Sequence, residues 1–351
     1  MYKVKFTPYR EALGTIMSRQ TAGHNYISSD GKYQFYIDED IEDPDFWVVQ
    51  GKGLRHPETY HVAPQNTLLL TTEPRSVLVY PQKYIKQFGL VCSCQEETKH
   101  SNLHLGPAML PWHVGFTRDY INNEYSYTKD YDILKKSPTP QKDKLISVIT
   151  SNKAFTQGHI NRIKFVEKLK EYYGDQLDVF GRGYHDFEDK WDVLAPYKYH
   201  IVIENSSQKY YWTEKISDCF LTETFPFYYG CTNLTNYFPA EAFQPINIHD
   251  LDGTIKLINQ CIAEDRYQES TSFLKDCKDL VLEDYNLFNY TAALCDTLNP
   301  NLPKKKVTLS PCRSMQNWHN FYHYSVERVF FKWKQKFKEL NSGKSILSSD
   351  I

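Results

Sequence analysis

No stretch of this chain reaches the roughly 18 to 20 consecutive apolar residues that a membrane-spanning helix needs. The segment MYKVKFTPYR lacks the apolar core and small-residue cleavage site of a signal peptide, so a cytoplasmic protein is expected. Charge of one sign is also missing: 41 Lys and Arg stand against 43 Asp and Glu, which gives a nucleic-acid partner no general electrostatic support. Glycine-rich phosphate loops of the P-loop or dinucleotide type are absent, and so are internal repeats and low-complexity tracts. The eight cysteines are too scattered for a disulfide framework and read as reduced thiols. Cys92 and Cys94, followed by His100 and His104, are the one grouping with metal-ligand character, but the usual CxxC pair is missing, so no metal site is expected.

Aromatic rings are abundant, with 27 Tyr and 20 Phe in 351 residues. The length suits two domains of about 150 residues. The tract KKSPTPQKDK, 135–144, interrupts the apolar pattern with prolines and lysines and reads as the linker between them. Before it, YQFYI (33–37), DFWVVQG (45–51), NTLLLTTE (66–73) and GLVCSCQE (89–96) are strand candidates, and 81–87 reads as a short helix. After it, strand and helix patterns alternate: LISVIT (145–150), a helix over 160–173 with Ile163, Phe165, Val166 and Leu169 on one face, LDVFG (177–181), YHIVIE (199–204), a helix over 213–223, and FPFYYG (225–230). Such alternation predicts a doubly wound α/β domain. The expected limits are 1–140, 141–305 and a helical tail over 306–351. Within that tail, 325–340 forms an amphipathic basic helix suited either to docking on the body or to peripheral contact with the inner face of an anionic membrane.

In open α/β sheets ligands bind beyond the carboxyl ends of the strands. The polar loop IENSSQKYYWTEK occupies such a position, between a buried strand ending at Glu204 and a helix that Thr213 caps. A helix N-terminus carries free N–H groups and partial positive charge, which suits phosphate. Lys215 in the first turn opposes that dipole unless an anion sits there. Glu214 has the chemistry to accept from ribose hydroxyls, and Tyr211 to stack on a base. The plainer alternative makes Thr213 a simple cap, Glu214 a dipole-matching acid and Lys215 a solvated charge.

The run ENSSQKYYWTEKISDCF, followed by FPFYYG, NYFPAEAF and INIHD and preceded by DVFGRG and YKYHIVIEN, resembles the signature of the α-1,3-fucosyltransferase family, glycosyltransferase family ten. The resemblance covers about 145–250 and is weak in the first half of the chain. Two positions depart from the family pattern: Tyr210 stands where it has Asp, and Trp212 where it has Ile or Val. The segment NYFPAEAF is also compressed. The resemblance implies a GT-B fold of two Rossmann-like domains facing a cleft, and transfer of fucose from GDP-fucose to a glycan hydroxyl with inversion. It implies no obligatory cofactor or metal. By the same resemblance Arg162 and Lys215 would neutralise the diphosphate and Glu214 would hold the ribose. Glu204, Asn205, Ser206, Tyr211 and Thr213 would shape the donor pocket.

Inverting transfer needs a base near the acceptor hydroxyl. Glu73, in LLLTTEPRS at a strand end, is the candidate, with Glu96 and Glu97 as alternatives and a turn acid before Pro74 as the structural reading. Trp112 and His113 are weaker candidates for the acceptor side, where core packing is the competing role. The missing anchor suggests synthesis of a bacterial-type surface glycan such as lipopolysaccharide. Three rivals are kept: a metal-dependent transferase using Asp38 and Asp40 of YIDED, a same-fold transferase using another nucleotide sugar, and a nucleotide- or glycan-binding protein without turnover.

Overall fold

The computed structural model describes residues 1–9, 17–119, 124–151 and 157–316. The expected amphipathic helix over 325–340 lies outside them. Two parallel sheets organise the chain. The first holds β1 (Tyr2–Thr7), β2 (Tyr33–Ile37), β3 (Phe46–Gln50), β5 (Thr67–Leu70), β6 (Leu90–Ser93) and β7 (Leu103–Leu105), in the order β2-β1-β3-β5-β6-β7. The second holds β10 (Lys144–Ile149), β11 (Leu177–Phe180), β12 (Tyr197–Ile203), β13 (Phe225–Tyr229) and β14 (Gln244–Pro245), in the order β11-β10-β12-β13-β14. Between them lie β8 (Phe116–Asp119) and β9 (Glu124–Tyr127), an antiparallel hairpin.

The helices are α1 (Gln82–Ile85), α2 (Tyr131–Lys136), α3 (Gln157–Tyr173), α4 (Lys190–Leu194), α5 (Glu214–Leu221), α6 (Leu251–Ala263), α7 (Arg266–Glu269), α8 (Thr271–Leu282) and α9 (Leu287–Asp296). The continuous apolar runs foreseen for the second sheet become strands buried on both faces: every residue of β12 except Lys198 is buried. Val166 and Leu169 of α3, Ile216 and Phe220 of α5, and Leu274 and Val281 of α8 close that core. The expected linker is only partly irregular. Lys135 and Lys136 end α2, where basic residues suit the helix dipole, and Lys142 is tethered to Ala195 O, Thr222 O and Thr224 Oγ1 at 2.7–2.9 Å.

After α8 the chain returns to the first sheet. Leu287, Phe288 and Leu294 of α9 pack with Val4, Phe6 and Phe35, and β15 (Lys305–Leu309) pairs antiparallel with β4 (Glu58–Val62). All eight cysteines are free and buried. Cys92 faces the core under α9 while Cys94 packs with Ala108 and Tyr211, so the two sulfurs do not share a face with a histidine pair. Among the described residues no group of three or more His, Cys, Asp and Glu is arranged to hold a metal ion, and no helix is long and apolar enough to cross a membrane.

The carboxyl edges of the two sheets face each other, the GT-B arrangement. The loop after β12 reaches the end of β6 through Gln208 Nε2, which donates to Cys94 O at 2.9 Å, and Tyr211 packs on Cys94 and Ala108.

Candidate functional site

Strand β12 delivers Glu204 to the facing edge, where its side chain is fully buried. A buried carboxylate needs partners for its lone pairs. Thr213 supplies them: its N–H donates to Oε1 at 2.9 Å, and its hydroxyl lies 2.9 Å from both carboxylate oxygens. Lys215 completes the set, with Nζ 3.0 Å from Glu204 Oε2 and 3.0 Å from Thr213 Oγ1. The anion that the misplaced Lys215 charge calls for is therefore already present as a side chain of the same motif. Burial raises Glu204 above the usual carboxylate range, and Lys215 opposes that rise. With three donors on its two oxygens, the ionised form is the one this geometry fits.

The glycine that ends FPFYYG has a local reason. A Cβ on Gly230 would lie 2.5 Å from Glu204 Cγ and 2.5 Å from Tyr228 Oη, so the Glu204 side chain occupies the place a larger residue would need. Gly181 of DVFGRG is stricter still: its φ is +115°, and a Cβ there would meet Thr150 O at 1.8 Å.

Thr213 is the N-cap of α5, as its sequence position predicts, and accepts from Lys215 N at 3.4 Å. Glu214 opens the helix, with Lys215 Nζ at 3.6 Å and Lys190 Nζ at 4.0 Å from its Oε1. Burial would raise Glu214, but the two ammonium groups outweigh it and hold the carboxyl well below the usual range. Arg162, on α3, is 7% exposed and points to the same edge. Its contacts are long, 3.3 Å from Nη1 to Asn205 Oδ1 and 3.4 Å from Nη2 to Ser151 Oγ, and its buried Nε has no hydrogen-bond partner among the described residues. A guanidinium so incompletely satisfied retains donor capacity for an anion. Ser206 lies in the partly buried loop between Asn205 and Tyr211. Tyr211 is 1% exposed and packed between the two halves, so in this conformation its ring is a wall rather than an open stacking platform. Tyr210 adopts a left-handed φ of 63°, and its N–H donates to Asn233 Oδ1 at 2.8 Å. Trp212 packs edge-on against Tyr237, Phe238 and Tyr285.

On the opposite edge, β5 ends at Leu70, three residues earlier than the sequence pattern suggests, so Glu73 lies in the turn that follows. Its backbone is fixed by Gln95, whose Nε2 donates to Glu73 O at 2.9 Å and Leu78 O at 2.8 Å. Glu73 is partly buried, and its charge, after burial itself and the charge of Glu204, helps to raise the Tyr211 phenol. Glu73 and Glu204 thus act on the same Tyr211 phenol from opposite sheets. Glu96 faces Lys209 of the loop after β12 at 3.7 Å, and both side chains are exposed.

Trp112 and His113 lie at the junction of the two halves. Trp112 is 2% exposed and lies under Arg19, whose guanidinium carbon is 4.0 Å from the ring centre. Arg19 also donates to Trp112 O at 2.6 Å, Val114 O at 2.9 Å and Lys129 O at 3.0 Å. The amides of the same segment are held from the second half: Asp218 Oδ1 accepts from His113 N at 2.7 Å and Val114 N at 3.0 Å, and Asp189 Oδ1 accepts from Gly115 N at 2.7 Å. Burial, reinforced by Lys190, lowers the His113 ring to a pKa of about 4. Sequence reading missed Asp218, Asp189, Arg19 and Lys190. Its one available signal was the Glu214 to Asp218 spacing, which places two acids on one helix face.

Asp38 and Asp40, the DxD alternative, lie beyond β2. Asp40 accepts from Tyr60 Oη at 2.5 Å and borders an open cavity of about 540 Å³ with Asp43, His56 and His61. The Glu204 cluster does not border that cavity.

Residues 139–310 match the sequence profile of the family described as glycosyltransferase family 10 (fucosyltransferase), C-terminal region. The chain is similar to rat 4-galactosyl-N-acetylglucosaminide 3-alpha-L-fucosyltransferase 9, at 26% identity over 39% of this chain and 41% of that protein. It is also similar to the alpha-(1,3)-fucosyltransferase FucT of Helicobacter pylori, at 32% identity over 19% of this chain and 13% of that protein. These matches span less than half of either relative's length. Among solved structures, an alpha1,3-fucosyltransferase aligns over 85% of this chain and 91% of its own, with 14% identity and a TM-score of 0.47. An alpha1,3-fucosyltransferase with GDP-fucose aligns over 82% and 90%, with 15% identity and a TM-score of 0.41.

Proposed function

The chain belongs to glycosyltransferase family 10 through residues 139–310, and from that premise we propose that it transfers fucose from GDP-fucose to a hydroxyl of a glycan acceptor, with inversion. The observation that carries the reading is the convergence at one strand edge of Arg162, with unused donor capacity, and of Lys215 at the N-terminus of α5. In this reading the diphosphate takes Arg162 and Lys215, so the negative charge of the leaving group develops against two cations and a helix terminus. Glu214 accepts from the ribose hydroxyls. Glu204, Asn205, Ser206, Tyr211 and Thr213 shape the pocket, Glu204 by holding Thr213 and Lys215 in place. Domain limits are part of the proposal: the donor half runs from about the start of β10 to Tyr285, and α9 and β15 belong to the acceptor half.

Glu73 is proposed as the base that takes the acceptor proton. Its support is its position in the turn opposite the donor loop and its electrostatic reach to Tyr211. The test is calorimetric titration with GDP, GDP-fucose, GDP-mannose and UDP-sugars, with and without EDTA, followed by transfer assays on Glu73→Gln. Binding of GDP and GDP-fucose that EDTA leaves intact, with transfer lost and donor binding kept in Glu73→Gln, is the expected result. Binding of a uridine nucleotide alone would overturn the donor, and unchanged transfer in Glu73→Gln would overturn the base.

A further inference from the structure

Five side chains of alternating sign form one line through the donor half. Glu204, Lys215, Glu214, Lys190 and Asp218 follow one another at 3.0, 3.6, 4.0 and 2.7 Å. Three carboxylates share two ammonium groups, so each cation carries more than one acid. Lys215 divides itself between Glu204 and Glu214. In the proposed donor complex it also turns to the diphosphate, which leaves Glu214 with less of its charge.

Lys190 is the cation that cannot be drawn away. Its Nζ is fixed 2.7 Å from Asp218 Oδ2, and Asp218 is itself fixed by the amides of His113 and Val114. At the other end, Lys190 opens α4 immediately after Asp189, the N-cap, which grips Gly115 N, Trp191 N and Thr128 Oγ1 at 2.7–2.8 Å. The side chain is 18% exposed beside a Glu214 side chain that is 12% exposed, so water screens the pair weakly.

We propose that Lys190 is a positioning residue for donor binding, keeping Glu214 an ionised, acceptor-only carboxylate while Lys215 is engaged elsewhere. The proposal rests on the reading of Glu214 as the ribose ligand. The charged and titratable groups facing Glu214 are Lys215, Lys190, His113, Glu204 and the Tyr211 phenol, with Asp218 behind Lys190, Arg162 beyond Lys215 and Arg19 toward Asp218. Without Lys190, three buried carboxylates would face one ammonium group. Glu214 would then take up a proton as pH falls and lose an acceptor position.

The experiment is calorimetric titration of the full chain with GDP from pH 6 to 8, for wild type, Lys190→Met, Lys190→Arg and Glu214→Gln. The ratio of variant to wild-type Kd is read, so that the titration of GDP itself cancels. For Lys190→Met the ratio should be about 10 at pH 8 and rise to about 100 at pH 6, while Lys190→Arg stays within about threefold throughout. In a Glu214→Gln background the pH dependence of the Lys190→Met ratio should vanish, an outcome that a merely structural lysine would not produce. Lys190→Gln, which keeps a hydrogen bond to Asp218, serves if the methionine variant does not fold. A ratio independent of pH, or an arginine variant as weak as the methionine one, would overturn the proposal. Glu214→Gln binding GDP like wild type would instead overturn the ribose reading beneath it, so the two failures are distinguishable.

Discussion

The two facing edges are built from different chemistry. On the second sheet's edge Glu204, Lys215, Glu214, Lys190 and Asp218 are charged, closely spaced and largely buried. Around the Glu73 loop of the first sheet the buried partners are neutral: Gln50 binds Met109 O and Tyr9 N, Thr71 lies against Ser93 and Cys94, and Gln95 bridges Glu73 O and Leu78 O, while the buried Lys5 and Arg19 lie elsewhere in that half. A neutral hydrogen-bonded network recognises hydroxyls at low desolvation cost, whereas opposed buried charges can re-pair with a diphosphate. The comparison teaches that two halves with parallel sheets of similar strand order can place very different electrostatics at the edges where they meet.

The largest expected effect breaks the charged side. Lys215→Met leaves the buried Glu204 carboxylate without its cation and should cost about 3 to 5 kcal/mol of stability. GDP affinity should fall at least about a hundredfold, read by denaturant melts and calorimetry. The matched change on the neutral side, Gln50→Leu, should cost about 1 to 3 kcal/mol and leave GDP affinity unchanged. Equal effects on binding would erase the division.

Acid should act next, through the second half. His200 is buried with its Nδ1 2.7 Å from Ser147 Oγ, and burial lowers it to about 3. The unfolded chain, with an ordinary histidine near 6.5, binds the proton first. Its stabilising contribution is therefore complete above about pH 6.5 and is lost as pH falls toward 3, about 3 kcal/mol by pH 4. His200→Gln should remove roughly one proton of uptake from the slope of stability against pH; an unchanged slope would contradict this account.

The smallest and sharpest effect concerns the loop of the proposed base. Gln95→Leu frees the Glu73 backbone without touching the donor side, so kcat should drop about tenfold while GDP Kd stays within error. A change in Kd alone would move Gln95 to the donor half.

What was legible in the sequence follows the same division. The second sheet reads directly because its buried strands are continuous apolar runs punctuated by Gly181 and Gly230, which are fixed by close approach to Thr150 O and Glu204. The capped helix at Thr213 and the anomalous charge of Lys215 were also legible. The partner that explains Lys215 was not, because Glu204 is 11 residues away and only the turn of the loop brings it within 3.0 Å. The contacts of Trp112 and His113 were hidden for a related reason: they run through the backbone, and Arg19 and Asp218, 93 and 105 residues distant, supply the partners. The return of α9 and β15 to the first half is equally invisible to local periodicity, which reports a helix and a strand without saying which core they join.

Among the described residues the chain passes between the two halves near Trp112 and near Asn286, and Gln20 touches both passages. Gln20 Nε2 donates to Trp112 O at 3.3 Å, and Gln20 O accepts from Asn286 Nδ2 at 2.6 Å. Two tethers pinned side by side act mechanically as one pivot. The two passages are thereby coupled, so neither can shift without straining the hydrogen bond that Gln20 makes to the other.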